Sequence, residues 1–172
     1  MDTSILPSIS SEARIGHVHL RVADLDRAMA FYRDVLGFRV TIYGPAFGMQ
    51  AVFLAAGDYH HHIALNTWMS ANGTPPPAGH TGLHHVAIVY PDAQALGCAV
   101  QRLFDHEYGI DGAEDHAGTV SVYLRDPDGN GIELYYDRPY EAWFDASGNF
   151  KMQAEPFDPR ELLAESLGSA TQ

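Results

Sequence analysis

Two stretches decide the fold: Gly16-His17-Val18-His19-Leu20-Arg21-Val22-Ala23-Asp24 and His84-His85-Val86-Ala87-Ile88-Val89-Tyr90-Pro91-Asp92. With His17 set on His85, Asp24 falls on Asp92, which marks an internal duplication. Each stretch opens as a β-rich strand and passes through an Asp into a helical pattern. In the first helix Leu25, Ala28, Met29, Phe31, Tyr32, Val35 and Leu36 recur at helical spacing, and Gly37 ends it. Ala95, Leu96, Ala99, Val100 and Leu103 form the second. Shorter β-prone runs follow near 38–43, 49–55 and 60–66, and again near 108–114, 119–124 and 131–136. The run Asn72-Gly73-Thr74-Pro75-Pro76-Pro77-Ala78-Gly79 divides the halves as a linker.

The expected architecture is α+β, with two βαβββ modules forming a cup-shaped mixed sheet around a central metal cleft. One module alone leaves a sheet face uncovered. Two can curl around a common cleft with helices outside. The expected units are an N-terminal extension (1–13), first module (14–71), linker (72–82), second module (83–138) and C-terminal extension (139–172). In the extension, Asp158-Pro159-Arg160-Glu161 before Leu162 and Leu163 reads as a helix start, with Asp as cap and Pro at the first position. Its expected job is packing or dimer contact.

Composition narrows the function. Ten basic against twenty-two acidic residues leave a net charge of −12, which suits neither nucleic acid nor an anionic membrane. No stretch approaches a membrane span, and the first thirteen residues lack the features of a signal peptide. The single cysteine, Cys98, excludes an internal disulfide and a thiolate metal cluster, and makes a reducing cytoplasm the expectation. Any metal site must use imidazole and carboxylate, and ten histidines are available.

His17 and His85 stand at the same point of each half. A third candidate is Glu133, in Asp126-Pro127-Asp128-Gly129-Asn130-Gly131-Ile132-Glu133-Leu134-Tyr135-Tyr136. The Asp-Pro-Asp-Gly-Asn run signals a turn, and the alternation after it sets Glu133 and Tyr135 opposite Ile132, Leu134 and Tyr136. Two imidazoles and one carboxylate form a facial triad that leaves positions open on Fe(II) for substrate and dioxygen. His19 shares the face of His17 and fits beside a ligand, but Ala87 stands at its counterpart. Nothing marks out His80, His84 or His106.

At these residues the sequence resembles the vicinal oxygen chelate superfamily, which includes glyoxalases, bleomycin-resistance proteins, epimerases and type I extradiol dioxygenases. The resemblance covers roughly residues 14–138. It rests on His17, Asp24-Leu25-Asp26, Phe31-Tyr32-Arg33-Asp34-Val35-Leu36-Gly37-Phe38 and the Asp126–Glu133 run. Within the superfamily a two-His, one-Glu set within one chain, here His17, His85 and Glu133, is most similar to the extradiol pattern, whereas glyoxalases tend to share metal ligands across a dimer or to take one from the last strand of the first half. The strand His60-His61-His62-Ile63-Ala64-Leu65-Asn66 lacks the carboxylate that glyoxalases tend to use there.

The resemblance implies an Fe(II) enzyme that cleaves a catechol-type aromatic diol with O2, with Mn(II), zinc or nickel as other metals. It implies Tyr123, ten residues before Glu133, as a hydrogen-bonding catalytic residue. It implies His61 as acid–base and His116 as a substrate contact. The register among His60, His61 and His62 stays open, since alternating residues cannot all reach the cleft. Phe47, Trp68, Tyr135 and Trp143 are candidates to wall an aromatic ring. A homo-oligomer is expected. The competing readings are a metal-dependent lyase or epimerase and a non-catalytic small-ligand binder.

Overall fold

The structure is a computed structural model that describes residues 8–167. The first half runs β1 (Val18–Arg21), α1 (Leu25–Ala30), a π-helical turn (Phe31–Val35), β2 (Arg39–Tyr43), β3 (Ala51–Ala55) and β4 (Ile63–Asn66). The second runs β5 (His85–Tyr90), α2 (Ala93–Asp105), β6 (Gly112–Asp115), β7 (Thr119–Arg125) and β8 (Gly131–Asp137), followed by β9 (Glu155–Pro156) and α3 (Glu161–Leu167). The class is α+β, and each half is a βαβββ unit. Strands pair within each half, giving sheets ordered β1-β4-β3-β2 and β5-β8-β7-β6-β9. In each sheet the first strand runs parallel to the last strand of its unit, and the other pairs are antiparallel. No helix among the described residues is long and apolar enough to cross a membrane.

Both helices start as their sequences dictate. The Asp24 carboxylate accepts from the Arg27 amide at 2.9 Å, and Asp92 accepts from that of Ala95 at 2.8 Å. The first helix then widens, with the Leu36 amide donating five residues back to Phe31 at 3.0 Å. The expected strand near 60–66 is regular only from Ile63; ahead of it the Thr41 hydroxyl donates to the His60 carbonyl at 2.7 Å, while the His62 backbone already bonds Leu54 and Val18. The third helix starts at Glu161, later than the Asp-Pro pair suggests. Asp158 instead accepts from the Arg160 amide two residues on, at 2.9 Å, which closes a turn ahead of the helix. That helix packs on α2, with Leu162 buried and the Arg160 guanidinium 5.3 Å above the Phe104 ring.

The halves share one core that runs from Leu20 and Phe31 through Leu96 and Val100 to Leu134. Polar contacts lock them together. The Tyr32 hydroxyl donates to the buried Asp126 at 3.0 Å. Asp128 accepts from the Ala23 amide at 2.9 Å and from Arg27 at 2.7 Å. In return Arg102 of α2 donates to the carbonyls of Val35 at 3.1 Å and Asp34 at 2.6 Å. The Phe31 and Tyr108 rings lie 4.8 Å apart.

Burial first, then the Asp126 carboxylate, pushes the Tyr32 phenol well above its ordinary value of 10.0. An unfolded chain releases that proton near pH 10 and the folded chain does not, so stability falls as pH rises beyond about 10. Tyr32→Phe leaves the buried carboxylate short of a donor and should cost about 1–3 kcal/mol at neutral pH. Urea unfolding at pH 7 and pH 10.5 measures both effects. A variant as stable as wild type would remove this contact from the latch.

Candidate metal and substrate site

The turn at Asp126–Asn130 sets the phase of β8. The Asp126 carboxylate accepts from the amides of Asp128 at 2.9 Å and Asn130 at 2.8 Å, and from the Asn130 side chain at 2.9 Å. Ile132 and Leu134 then enter the core, and Glu133 emerges on the other face. Ladder register sets Ala87 of β5 and Tyr123 of β7 beside Glu133.

Around Glu133 the side chains form a chain of contacts. Its Oε2 lies 3.1 Å from His85 Nε2. The Tyr123 hydroxyl donates to its Oε1 at 3.1 Å. His116 Nε2 stands 2.8 Å from that hydroxyl and 3.4 Å from Glu114, and its Nδ1 stands 2.9 Å from the Gln153 carbonyl. Burial pushes the Tyr123 phenol up to about 12, so at neutral pH it keeps its proton and acts as a donor. His85 Nδ1 lies 2.9 Å from His84 Nδ1. Which ring donates in that pair depends on the tautomers of the two histidines.

His17 lies in the other half. Its ring is 4.5 Å from that of His61, whose Nδ1 is 2.8 Å from His60 Nδ1. Of the three consecutive histidines, His61 is thus the one against His17, while His62 turns toward the Ala56 amide at 3.3 Å and the Tyr59 ring. Burial, then the neighbouring His17, lowers the His61 value and keeps its imidazole neutral. His19 lies 2.9 Å from the Asn66 side chain with its ring 5.3 Å from Trp68, and burial lowers its value too. The structure therefore brings together His85, Glu133, Tyr123 and His116, and separately His17 and His61. Among the described residues no group of three His, Cys, Asp or Glu side chains is gathered so as to hold a metal ion.

The equivalence of the halves is one-sided in chemistry. Where β8 and β7 carry Glu133 beside Tyr123, β4 and β3 carry Ala64 beside Phe53. Sequence reading missed Glu114, which faces His116, and His84, whose one available signal was its adjacency to His85.

Of the aromatic candidates, Phe47 is exposed and Trp68 packs on His19. Trp143 lines a cavity of about 290 Å³ with His116, Gly118, Thr119, Phe150 and Met152. The indole is anchored by donating to the Arg138 carbonyl at 2.9 Å. It lies so close to Gly118 that an added Cβ would meet its Cδ1 at 3.0 Å.

A sequence model described as the glyoxalase/bleomycin resistance protein/dioxygenase superfamily matches residues 14–134. The chain is 41% identical to a catechol-2,3-dioxygenase of Bacillus subtilis over 120 residues, which is 70% of this chain and 40% of that protein. It is 34% identical to biphenyl-2,3-diol 1,2-dioxygenase 3 of Rhodococcus globerulus, over 72% of this chain and 63% of that one. The match thus spans less than two thirds of either relative. A lactoylglutathione lyase of Haemophilus influenzae is 33% identical over 70% of this chain and 90% of its own length. Among solved structures, a lactoylglutathione lyase from Agrobacterium tumefaciens superposes with a TM-score of 0.56 at 28% identity, over 74% of this chain and 96% of that one.

Gly118→Val should push the Trp143 indole off the backbone. In a Trp68→Phe background the emission then moves to the red, since the ring gains water. Unchanged emission would mean that the indole does not depend on the bare backbone at position 118.

Proposed function

Because the chain belongs to the glyoxalase/bleomycin resistance protein/dioxygenase superfamily, we propose that it is an Fe(II)-dependent extradiol dioxygenase that opens a catechol-type aromatic diol with O2 in the breakdown of aromatic compounds. The observation that carries this reading is the His85–Glu133 pair at 3.1 Å, with Tyr123 donating to the far oxygen of the same carboxylate. An imidazole nitrogen and a carboxylate oxygen at that spacing fit a divalent iron. The first half offers Ala64 where the second offers Glu133, so its contribution to a metal is imidazole alone: His17 completes a two-His, one-carboxylate set.

His17 joins from a second copy of the chain. The Tyr32–Asp126, Arg27–Asp128 and Arg102–Val35 contacts fix how the halves of one chain sit, and in that arrangement His17 is not gathered with His85 and Glu133. Among the described residues β1 and β5 are each the terminal strand of their sheet, with one edge unpaired.

His85, Glu133 and His17 would hold the Fe(II), which would supply orientation and charge stabilisation to the diol and dioxygen. The chain's own groups handle the protons. Tyr123 keeps its phenolic proton and can give a hydrogen bond to a substrate oxygen beside Glu133. His116 backs that phenol at 2.8 Å. His61, kept neutral by burial, accepts a proton from the diol and arrives together with His17. A metal-dependent lyase is the second reading, favoured by the match over 90% of the Haemophilus lyase.

Anaerobic loading with Fe(II), then addition of catechols and O2, should give a yellow ring-fission product with matching O2 uptake. Turnover of a thiohemiacetal without O2 would favour the lyase. Glu133→Ala and His85→Ala should lose iron as well as activity, and stoichiometric iron in either would overturn the ligand set. Co-expressed His17→Ala and Glu133→Ala chains should recover about a quarter of wild-type activity, since mixed dimers rebuild one intact site in two. No recovery would place His17 in the same chain's site.

A further inference from the structure

The superfamily match ends at residue 134, yet His116 is held by residues beyond it. His116 stands in the tight connection from β6 to β7. Its amide donates to the Thr119 carbonyl at 2.9 Å, and its carbonyl accepts from the Gly118 amide at 2.8 Å. Ala117 beside it has a φ of 65°, a left-handed backbone that a residue with a Cβ seldom adopts. Such a turn keeps its shape when its surroundings hold it. The Asp115 carboxylate accepts from the Ala117 amide at 2.8 Å, from two Arg138 nitrogens at 2.7 Å each and from the Gln153 side chain at 3.3 Å. Arg138 also donates to the Ala117 carbonyl at 3.0 Å, and its own amide donates to the Gly118 carbonyl at 2.8 Å. The Arg138 guanidinium holds the Asp115 carboxyl below the usual carboxylate range, so the grip is ionic at neutral pH.

The remaining contact decides where a proton sits. His116 Nδ1 lies 2.9 Å from the Gln153 backbone carbonyl. A carbonyl has no proton to give, so Nδ1 is the donor. Across the ring, Nε2 lies 2.8 Å from the Tyr123 hydroxyl. In a neutral imidazole one nitrogen donates and the other accepts, so Nε2 is the acceptor. A second proton on Nε2, which also faces Glu114 at 3.4 Å, would leave Nδ1 as it is. The phenol has one proton and two acceptors within reach, Nε2 and Glu133 Oε1 at 3.1 Å. The opposite tautomer would set the Nδ1 lone pair against the carbonyl and aim an N–H at the phenol oxygen, which pins the hydroxyl on Glu133.

We propose that Arg138 and Gln153 are positioning residues that hold His116 as the tautomer protonated on Nδ1, so that the Tyr123 hydroxyl has a second acceptor and can turn away from Glu133. The effect on turnover rests on the dioxygenase reading; the tautomer does not. With Nε2 behind it, the phenol stays in place when Glu133 is given to a metal, and its proton is at hand for a substrate oxygen. The C-terminal extension thus acts on the site through the orientation of one imidazole.

The test uses the full chain with isotope-labelled histidine. At about pH 8.5, where an ordinary imidazole is neutral, long-range proton–nitrogen spectra report which ring nitrogen carries the proton. The His116 signals are assigned by their loss in His116→Gln. Wild type should show the proton on Nδ1 alone. Arg138→Ala and Asp115→Asn should each give a mixture of tautomers, and Arg138→Lys, which keeps the charge and loses the planar fork, should restore the wild-type form in part. With Fe(II), catechol and O2 supplied, Arg138→Ala should lower kcat by about tenfold to a hundredfold, while the KM for the diol and the iron content stay at wild type. A proton on Nε2 of wild-type His116 overturns the proposal even where a variant does not fold. Variants that keep the wild-type tautomer and kcat overturn it as well. A wild type that cleaves no catechol but shows the Nδ1 proton, lost in Arg138→Ala, would keep the positioning and remove the dioxygenase reading.

Discussion

The structure turns on one buried carboxylate, that of Asp126. It is 4% exposed and is bonded by two backbone amides, one side-chain amide and the Tyr32 hydroxyl. A carboxylate this deep is tolerated only when its oxygens are satisfied, and each partner does further work. The amides shape the turn that begins β8. The phenol belongs to the first half, so the bond that stabilises the turn also ties the halves together. Close packing continues at Gly131, where any Cβ would run into the His84 carbonyl. That glycine lets β5 and β8 start side by side, which brings His85 within reach of Glu133.

The duplication preserves the scaffold and divides the chemistry. Both halves have the same strand order, the same aspartate cap and a histidine ahead of or at the start of the first strand. Only the second half has a carboxylate and a phenol on the neighbouring strands. Matched register with Ala64 and Phe53 in the first half means that the carboxylate at this position comes from one half alone. The imidazoles of His17 and His61 form a separate cluster, in which burial favours the neutral form of His61. Neutral imidazole is the form that binds metal or accepts a proton.

The C-terminal extension gives the second half a further edge. It covers β6 with β9 and packs a helix on α2. Arg138 grips Asp115 through two bonds of 2.7 Å, which holds the loop that carries His116. One segment therefore steadies a residue of the hydrogen-bond chain and walls the cavity beside it.

Local chemistry was legible in the sequence. The repeated strand-to-Asp pattern specified both helices and their caps, and the Asp126–Asn130 turn specified which face of β8 carries Glu133. These depend on neighbours a few residues apart, through capping bonds and alternation. The spacing of Tyr123 and Glu133 belongs to the same class, since a tight antiparallel pair places them side by side. The sequence alone could not tell which of His60, His61 and His62 faces His17, because that depends on how the segment packs against β1 and β3. It could not reveal the His84–His85 contact or the bond from the extension to His116, and its expectation that His17 meets His85 and Glu133 within one chain is not what the described residues gather. Those depend on how distant segments pack. Such packing follows from the shared core and the Asp126 latch, which only the tertiary structure displays.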